Sequence, residues 1–182
     1  RSRTMGFDLY GENPVMRNIN EDAYPVYNEC TDMDFDERMK AFKKDIKLKD
    51  QYYEEWRKRD DENPGTYFRA NVWWWRRLWE FVCIECDDIL SQEDMDGGNY
   101  NDNHLISEDK AVLMAKHLQD KVNDGTAKAF EDDVTEYQES VERDKNGGVK
   151  NDKDWDAMYP FTVSNLQEFI TFCSESGGFT IG

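Results

Sequence analysis

Residues 69 to 79 form the densest group of side chains that could bind a ligand, because arginines and tryptophans are interleaved there. A guanidinium group over a tryptophan ring makes a cation–π contact, and such pairs form platforms for a base, a sugar or a peptide. Helical spacing turns Trp73 away from the apolar stripe, so we predict that this ring faces a partner. The predicted binding residues are Arg69, Asn71, Trp73, Arg76 and Arg77.

Two other tryptophans of this segment have the spacing of a buried helix. Trp75 and Trp79 are four residues apart, and apolar side chains continue their stripe towards Leu90. A second apolar row lies beside the first, so the helix is apolar over a wide arc. Asn71 stands where a helix N-cap is expected. We therefore predict a central helix that begins after Asn71 and holds Trp75 and Trp79 in the core.

A second candidate site is the acidic segment 85–109, which has nine carboxylate side chains and no lysine or arginine. Calcium and magnesium bind oxygen-rich loops of this kind. An EF-hand starting at Asn99 fails, because His104 stands where glycine is needed and Lys110 where the bidentate glutamate belongs. A nonstandard calcium or magnesium site and a solvated loop are both open. The ligands predicted for the ion are Asp94, Asp96, Asn99 and Asp102.

Cysteine and histidine residues give no further site. Cys83 and Cys86 lie three residues apart in the predicted helix, but no second paired motif supplies the other ligands of a zinc ion. A position in the middle of a helix does not favour a redox pair, so we predict reduced, buried cysteines. The sequence also lacks a recognisable nucleophile motif, a phosphate-binding glycine loop and a metalloprotease motif, which favours a protein that is not an enzyme.

Composition narrows the classes of partner. The 182 residues include 40 acidic and 23 basic side chains, a formal charge of -17. Such a charge repels nucleic-acid phosphates and anionic membranes. No apolar run approaches the ~18 residues of a membrane span, and the first residues lack the apolar core of a signal peptide. We expect a cytoplasmic protein that binds neither nucleic acid nor membrane directly.

The remaining sequence predicts a mainly α (α+β) fold with a helical core around the tryptophan-rich helix. Alternating residues in "GFDLYG" and "GFTIG" predict strands at the chain termini that pair as a two-stranded antiparallel sheet. Residues 34–61 have the pattern of one long charged helix. Ser107, Thr126 and Ser164 are predicted to cap further helices. Segments 91–106 and 144–156 have the composition of a loop and an exposed linker.

Three blocks, "MGFDLYGENP", "GTYFRANVWWWRRLWEFV" and "YPFTVSNLQEFITFCSESGGFTI", together resemble a family of small uncharacterised bacteriophage and bacterial proteins. The resemblance implies one domain over 5–182 with a charged helical insertion at 17–63. Residues 1–4, before Met5, are expected to be a cloning remnant. The resemblance also implies paired CxxC motifs before the "YPF" block, but this chain has no cysteine in the stretch "RDKNGGVKNDKDWDAM" that precedes it. A shared pocket or a buried network is implied for Asn13, Arg69, Asn71, Arg76 and Asn165.

These observations lead to two functional hypotheses. The first is a non-enzymatic phage accessory protein, without cofactor, that binds a host or phage protein through its acidic surface and exposed aromatic residues. In a sharper version, the carboxylates of 85–109 and 120–156 mimic nucleic-acid phosphates in a basic groove of the partner. The second is a small-ligand-binding protein or enzyme. Its ligand would occupy a tryptophan–arginine pocket, or a calcium or magnesium ion would bind the 94–102 loop.

Overall fold

The computed structural model describes residues 5–182, which contain eight α-helices and four β-strands. The remnant expected at 1–4 lies outside these residues. A 3₁₀ helix spans Asp152–Met158. The elements in chain order are β1 (Gly6–Gly11), α1 (Pro25–Asp32), α2 (Phe35–Lys44), α3 (Ile46–Glu62), β2 (Tyr67–Asn71), α4 (Val72–Glu85), α5 (Gln92–Gly97), β3 (His104–Ile106), α6 (Glu108–Asn123), α7 (Thr126–Ser140), α8 (Val163–Glu175) and β4 (Phe179–Ile181).

The chain divides into two units. The first consists of residues 5–14 and 65–182, and the second of residues 15–64. The predicted insertion 17–63 falls within the second unit. Among the described helices, none has the length and apolar character needed to cross a membrane.

The first unit contains an antiparallel sheet with the strand order β2–β1–β4–β3. The predicted pairing of the terminal strands is confirmed, because Leu9 of β1 lies opposite Ile181 of β4. The predicted number of two strands is wrong, since β2 and β3 extend the sheet at its edges. Strand β2 alternates but runs directly into α4 with no turn between them, and β3 has three residues in a polar segment, so the sequence does not set either apart as a strand.

One face of the sheet and helices α4, α6 and α8 enclose the core of the first unit. Trp75 and Trp79 are 0% and 2% exposed, so their predicted place in the core is confirmed. Trp75 stacks on Phe7 of β1 at 5.3 Å and meets Phe169 of α8 edge-on at 6.1 Å, between ring centroids. The tryptophan-rich helix therefore joins the sheet to α8 through aromatic contacts. The mainly α (α+β) class is confirmed as well.

The second unit has its own small core of Cys30, Phe42 and Tyr52. The prediction of a single helix over 34–61 is wrong, because Asp45 interrupts it and separates α2 from α3. Asp45 has an extended backbone, and its carboxylate accepts hydrogen bonds from Lys47 N at 3.0 Å and Leu48 N at 3.1 Å. A short carboxylate that bonds the backbone in this way competes with a continuous helix.

Four local predictions also need correction. Helix α7 has Gly125 at its N-cap and not the predicted Thr126, which is its first residue. Segment 91–106, predicted as a loop, contains α5 and β3. The predicted linker 144–156 runs into the 3₁₀ helix, which starts at Asp152. Helix α8 starts two residues earlier than predicted, because Thr162 rather than Ser164 caps it; the Thr162 hydroxyl accepts a hydrogen bond from Asn165 N at 3.1 Å.

Candidate functional site

Three aromatic side chains from two distant parts of the sequence meet at the surface of the first unit. The Trp73 ring centroid lies 5.5 Å from those of Trp155 and Tyr159, and the Trp155 indole Nε1 donates a hydrogen bond to the Tyr159 hydroxyl at 3.2 Å. We call these three residues the aromatic cluster. Trp155 is 48% exposed, whereas Trp73 is half-buried. The ring most open to solvent in this cluster is therefore Trp155, with Trp73 packed against it.

A buried arginine holds the aromatic cluster together. Arg77 is 8% exposed, and its guanidinium donates to the backbone carbonyls of Asp156 at 2.6 Å and Tyr159 at 3.3 Å. Its third contact is an ion pair with Glu80 at 2.8 Å. Arg77 was predicted to bind a ligand, but these contacts place it inside the protein. It connects α4, which carries Trp73, to the segment that carries Trp155 and Tyr159.

The surroundings of the aromatic cluster are strongly acidic. Within residues 5–14 and 65–182 there are 26 acidic and 11 basic side chains. The 3₁₀ helix packs against α7, where Gln138 Nε2 donates to Ala157 O at 3.1 Å. Helix α7 exposes four carboxylates, and the 3₁₀ helix carries three more, of which Asp154 is half-buried. These residues are Asp132, Asp133, Glu136 and Glu139 on α7, and Asp152, Asp154 and Asp156 on the 3₁₀ helix.

A separate cleft of about 350 Å³ lies between the starts of α4 and α8. It gathers three of the five residues for which a shared pocket or network was implied, Arg69, Asn71 and Asn165. Asn71 also caps α4, accepting a hydrogen bond from Trp74 N at 3.1 Å, as predicted. The Arg69 Nε lies 3.5 Å from a carboxylate oxygen of Asp8. The other lining residues are Ala70, Trp74, Thr162, Ser164 and Glu168.

The other two residues of that implied set, Arg76 and Asn13, are not among those lining the cleft. Arg76 donates to the backbone carbonyl of Asn99 at 3.1 Å, and its guanidinium carbon lies 5.2 Å from the centroid of the Phe7 ring. Asn13 is hydrogen-bonded through its backbone to Ser176 O at 3.0 Å. Arg76 thus joins the tryptophan-rich helix to the acidic segment.

The acidic segment contains a buried network around Asp94. One carboxylate oxygen accepts a hydrogen bond from His104 Nε2 at 2.8 Å, and the other accepts from Ser91 N at 3.0 Å and from Lys110 Nζ. Ser91 caps α5 in return by accepting from Asp94 N at 3.1 Å. Burial acts to raise the pKa of Asp94, but the bonds from Lys110, His104 and Ser91 outweigh it and hold the pKa well below its usual range.

The remaining predicted ion ligands take no part in this network. Asp96 accepts a hydrogen bond from Gln92 at 2.9 Å, Asn99 contacts Arg76, and Asp102 is exposed. Both carboxylate oxygens of Asp94 already have protein partners. Over residues 5–182, no group of three or more His, Cys, Asp or Glu side chains has an arrangement suited to a metal ion. The calcium or magnesium site stays a prediction.

The four cysteines are free thiols. Burial raises the pKa of Cys83 and of Cys86 to about 12, and it raises that of Cys173 well above its ordinary value. A nucleophilic cysteine needs a thiolate, which these environments disfavour at neutral pH. Burial therefore argues against Cys83, Cys86 and Cys173 as nucleophiles in an enzymatic reaction.

Sequence reasoning missed Trp155 and Tyr159 as site residues. Trp155 lies in a stretch rich in Asp, Asn, Gly and Lys, which is typical of a linker. One signal was present, because a tryptophan surrounded by charged residues is uncommon on a purely solvated segment. Trp73, which Trp155 contacts, lies some 80 positions away in the sequence, and no local pattern predicts this contact.

No protein-family model matches this chain, and no curated protein or solved structure matches it either. The resemblance carried by the three sequence blocks stays an expectation.

Proposed function

We propose that this protein is a non-enzymatic accessory protein that binds a basic partner protein through the aromatic cluster and the acidic surface around it. The observation that carries the proposal is Trp155, a tryptophan 48% exposed and held by hydrogen-bonded and aromatic neighbours. Tryptophan and tyrosine are the residues most enriched among those that dominate binding energy at protein interfaces. In keeping with the sequence resemblance, we place the protein in the cytoplasm of a phage-infected cell.

Pre-ordering of the aromatic cluster supports this proposal. Arg77 fixes the backbone at Asp156 and Tyr159, so a partner would meet side chains that are already in place. Binding then requires less ordering of the interface, which increases affinity. Exposed aromatic groups on a mobile loop would lose more conformational entropy on binding.

The charge of the first unit indicates the class of partner. Its excess of carboxylates attracts a positively charged surface and speeds association at low salt. Nucleic-acid-binding proteins of the host or the phage present such surfaces. The sharper version, mimicry of nucleic acid, assigns the α7 carboxylates to a basic groove of that kind. It requires binding that weakens steeply with salt and competition by DNA.

Affinity capture from a host lysate tests the proposal. The tagged wild-type protein and its Trp56→Ala variant are expected to retain the same partner at low salt, and Trp155→Ala to lose it. Trp56 is the matched control, because it is 40% exposed but belongs to the second unit. Equal capture by wild type and Trp155→Ala, with both folded by circular dichroism, would exclude the aromatic cluster as the binding surface.

A second candidate function, binding of a small polar ligand, is favoured by the cleft at the start of α4 and α8. Arg69, Asn165 and Trp74 supply a cation, an amide and an aromatic wall in a space of about 350 Å³. Calcium, magnesium, zinc and nucleotides can be screened by thermal shift. A ligand at 100 times its Kd should stabilise the protein by about 2.7 kcal/mol, and Asn165→Ala should reduce that effect if the cleft is the site.

A further inference from the structure

We infer that the aromatic cluster accepts an arginine side chain of the partner, stacked against Trp155 and paired with the carboxylate of Asp152. The inference rests on the proposed function and adds the chemistry of the residue that the cluster recognises. It concerns two residues of the 3₁₀ helix: Trp155, which sequence reasoning missed, and Asp152, which the sequence indicated only as one of the carboxylates of 120–156.

Trp155 presents ring surface, and not its polar edge, to a ligand. The indole Nε1 donates to the Tyr159 hydroxyl at 3.2 Å, so the polar edge of the ring is satisfied within the protein. The 48% of Trp155 that solvent reaches is therefore mainly hydrocarbon and π surface. Such a surface recognises a ligand by stacking, by dispersion or by attraction of a cation, and it does not serve as a hydrogen-bond donor.

Asp152 provides a carboxylate on the same side of the 3₁₀ helix as the Trp155 ring. In a 3₁₀ helix, side chains three residues apart lie on the same side, so Asp152 shares a side with Trp155. Lys153, the nearest basic residue in the sequence, lies one-third of a turn away on the side of Asp156. Across residues 5–182, no lysine, arginine or histidine forms an ion pair with Asp152. A cation from outside the chain can therefore contact the ring and the carboxylate together.

The ring and the carboxylate together favour arginine over lysine. A guanidinium is planar, so it can stack on an indole while its edge donates two hydrogen bonds to a carboxylate. An ammonium is a compact and strongly hydrated charge, and it cannot combine both contacts in one plane. Arginine is also the cation most often found over tryptophan in proteins. The ring, the adjacent carboxylate and the acidic surroundings thus fit an arginine-bearing protein segment.

Titration of the ¹⁵N-labelled full-length protein with short peptides tests this inference. The three peptides share a glycine–serine backbone and carry arginine, lysine or neutral citrulline at the same positions. The arginine peptide should shift the Trp155 indole N–H resonance and bind roughly 3- to 30-fold more tightly than the lysine peptide, as a stacked cation–π contact predicts. Citrulline, which has nearly the same shape without the charge, should cause no shift.

Variants separate this contact from general charge attraction. Trp155→Ala and Asp152→Asn should each remove the preference for arginine, while Trp155→Phe should keep part of it, because phenylalanine is a weaker cation–π partner than tryptophan. Asp50→Asn is the matched control, since Asp50 is an exposed carboxylate on α3 in the second unit, outside the proposed binding surface. The Asp50 variant should retain the preference. Melting temperatures identify any variant that fails to fold, and Trp155→Phe tests the contact even if Trp155→Ala is unstable.

The possible outcomes distinguish the inference from the proposed function. Equal binding of the arginine and lysine peptides, or an unmoved Trp155 resonance, overturns the inference. If Trp155→Ala still abolishes capture of the lysate partner in that case, the proposed function stands and the cluster recognises an apolar or neutral side chain. If Trp155→Ala affects neither experiment, both are overturned. An arginine preference that disappears with Trp155→Ala and Asp152→Asn supports the inference.

Discussion

The indole Nε1 of Trp75 donates a hydrogen bond of 2.7 Å to the backbone carbonyl of Gly98. Trp79, one turn further along α4, donates in the same way to Met95 O at 3.0 Å. Both rings are buried, and a buried indole N–H needs an acceptor. The central helix thus contributes Trp75 and Trp79 to the apolar core and also fixes the acidic segment that follows it.

This contact makes Gly98 sensitive to substitution. A Cβ atom added at Gly98 would lie 2.0 Å from the Trp79 ring, which is buried and stacked on Trp75 at 5.2 Å and therefore has little room to move. The backbone of Gly98 is in the ordinary helical region, so the effect is steric. We expect Gly98→Ala to lower the free energy of unfolding by about 1–3 kcal/mol. Urea unfolding followed by tryptophan fluorescence measures the change.

Asp102→Ala is the control for this experiment. Asp102 lies in the same segment and is exposed, so its substitution should change the free energy of unfolding by less than about 0.5 kcal/mol. If Gly98→Ala were as stable as Asp102→Ala, the close packing of the acidic segment on Trp79 would be refuted.

The Asp94 network predicts a stability contribution that depends on pH. The pKa of Asp94 in the folded state lies below the unfolded value of about 3.9, so the network stabilises the protein at pH values above about 3.9. The contribution is lost as the pH falls below about 4 towards the folded-state pKa. We expect Asp94→Asn to cost roughly 1–3 kcal/mol at pH 7, in the lower part of this range because solvent reaches about a third of Lys110 and screens it. The cost should shrink at pH 3.

Urea unfolding of wild type, Asp94→Asn and Asp96→Asn at pH 7 and pH 3 checks this dependence. Asp96 is two residues away and exposed, and its carboxylate accepts its hydrogen bond from the exposed side chain of Gln92. Its substitution should change the free energy of unfolding by less than about 0.5 kcal/mol at either pH. A cost of Asp94→Asn that is equal or larger at pH 3 would contradict the role given to its carboxylate.

Arg77 is predicted to control the order of the aromatic cluster. Arg77→Met removes the donors to Asp156 O and Tyr159 O while keeping a long apolar side chain. Amide hydrogen exchange at 152–159 should therefore become faster, and partner capture should weaken. Arg76→Met, on the same helix, removes a contact with Asn99 and should leave exchange at 152–159 unchanged. Unchanged exchange in Arg77→Met would mean that other contacts hold the 3₁₀ helix.

The elements that could be predicted from the sequence are those that a local pattern marks. Helix α4 shows its apolar arc and its Asn71 cap, and α6 shows its Ser107 cap, so the start of each was located correctly. Helix α4 ends at Glu85, before the end of the apolar stripe predicted to reach Leu90. Strands β1 and β4 alternate and lie next to glycines, whereas β2 runs directly into α4 and β3 lies in a polar segment. Local patterns therefore predict an element well when neighbouring residues also separate it from the rest of the chain.

The candidate site was harder to predict because it depends on distant contacts. Arg77 has the composition of a surface ligand residue, and only the fold shows that it bonds carbonyls some 80 positions away. Asp94 appears as one more acid in an acidic segment until the chain brings His104 and Lys110 to it. The sequence shows the residue types of these sites. It does not show their partners, because no regular spacing links residues that only the fold brings together.

The second unit can be removed as a test of where function lies. Its two ends leave the first unit close together, because Gly11 N donates to Thr66 O at 3.1 Å and a Cβ atom on Gly11 would lie 2.0 Å from Gly65 O. Replacing residues 15–64 with a short glycine–serine linker should therefore leave the sheet and its helices folded, since the loop to be closed is short. Circular dichroism and cooperative urea unfolding of the shortened protein measure this.

The shortened protein should also keep partner capture, because Trp73, Trp155, Tyr159 and the α7 carboxylates all belong to the first unit. Its capture should again be lost on Trp155→Ala and weaken with salt, as in the full chain. A shortened protein that folds but captures nothing would place the partner surface on residues 15–64, where Phe35, Tyr53 and Trp56 are the exposed aromatic side chains to substitute next.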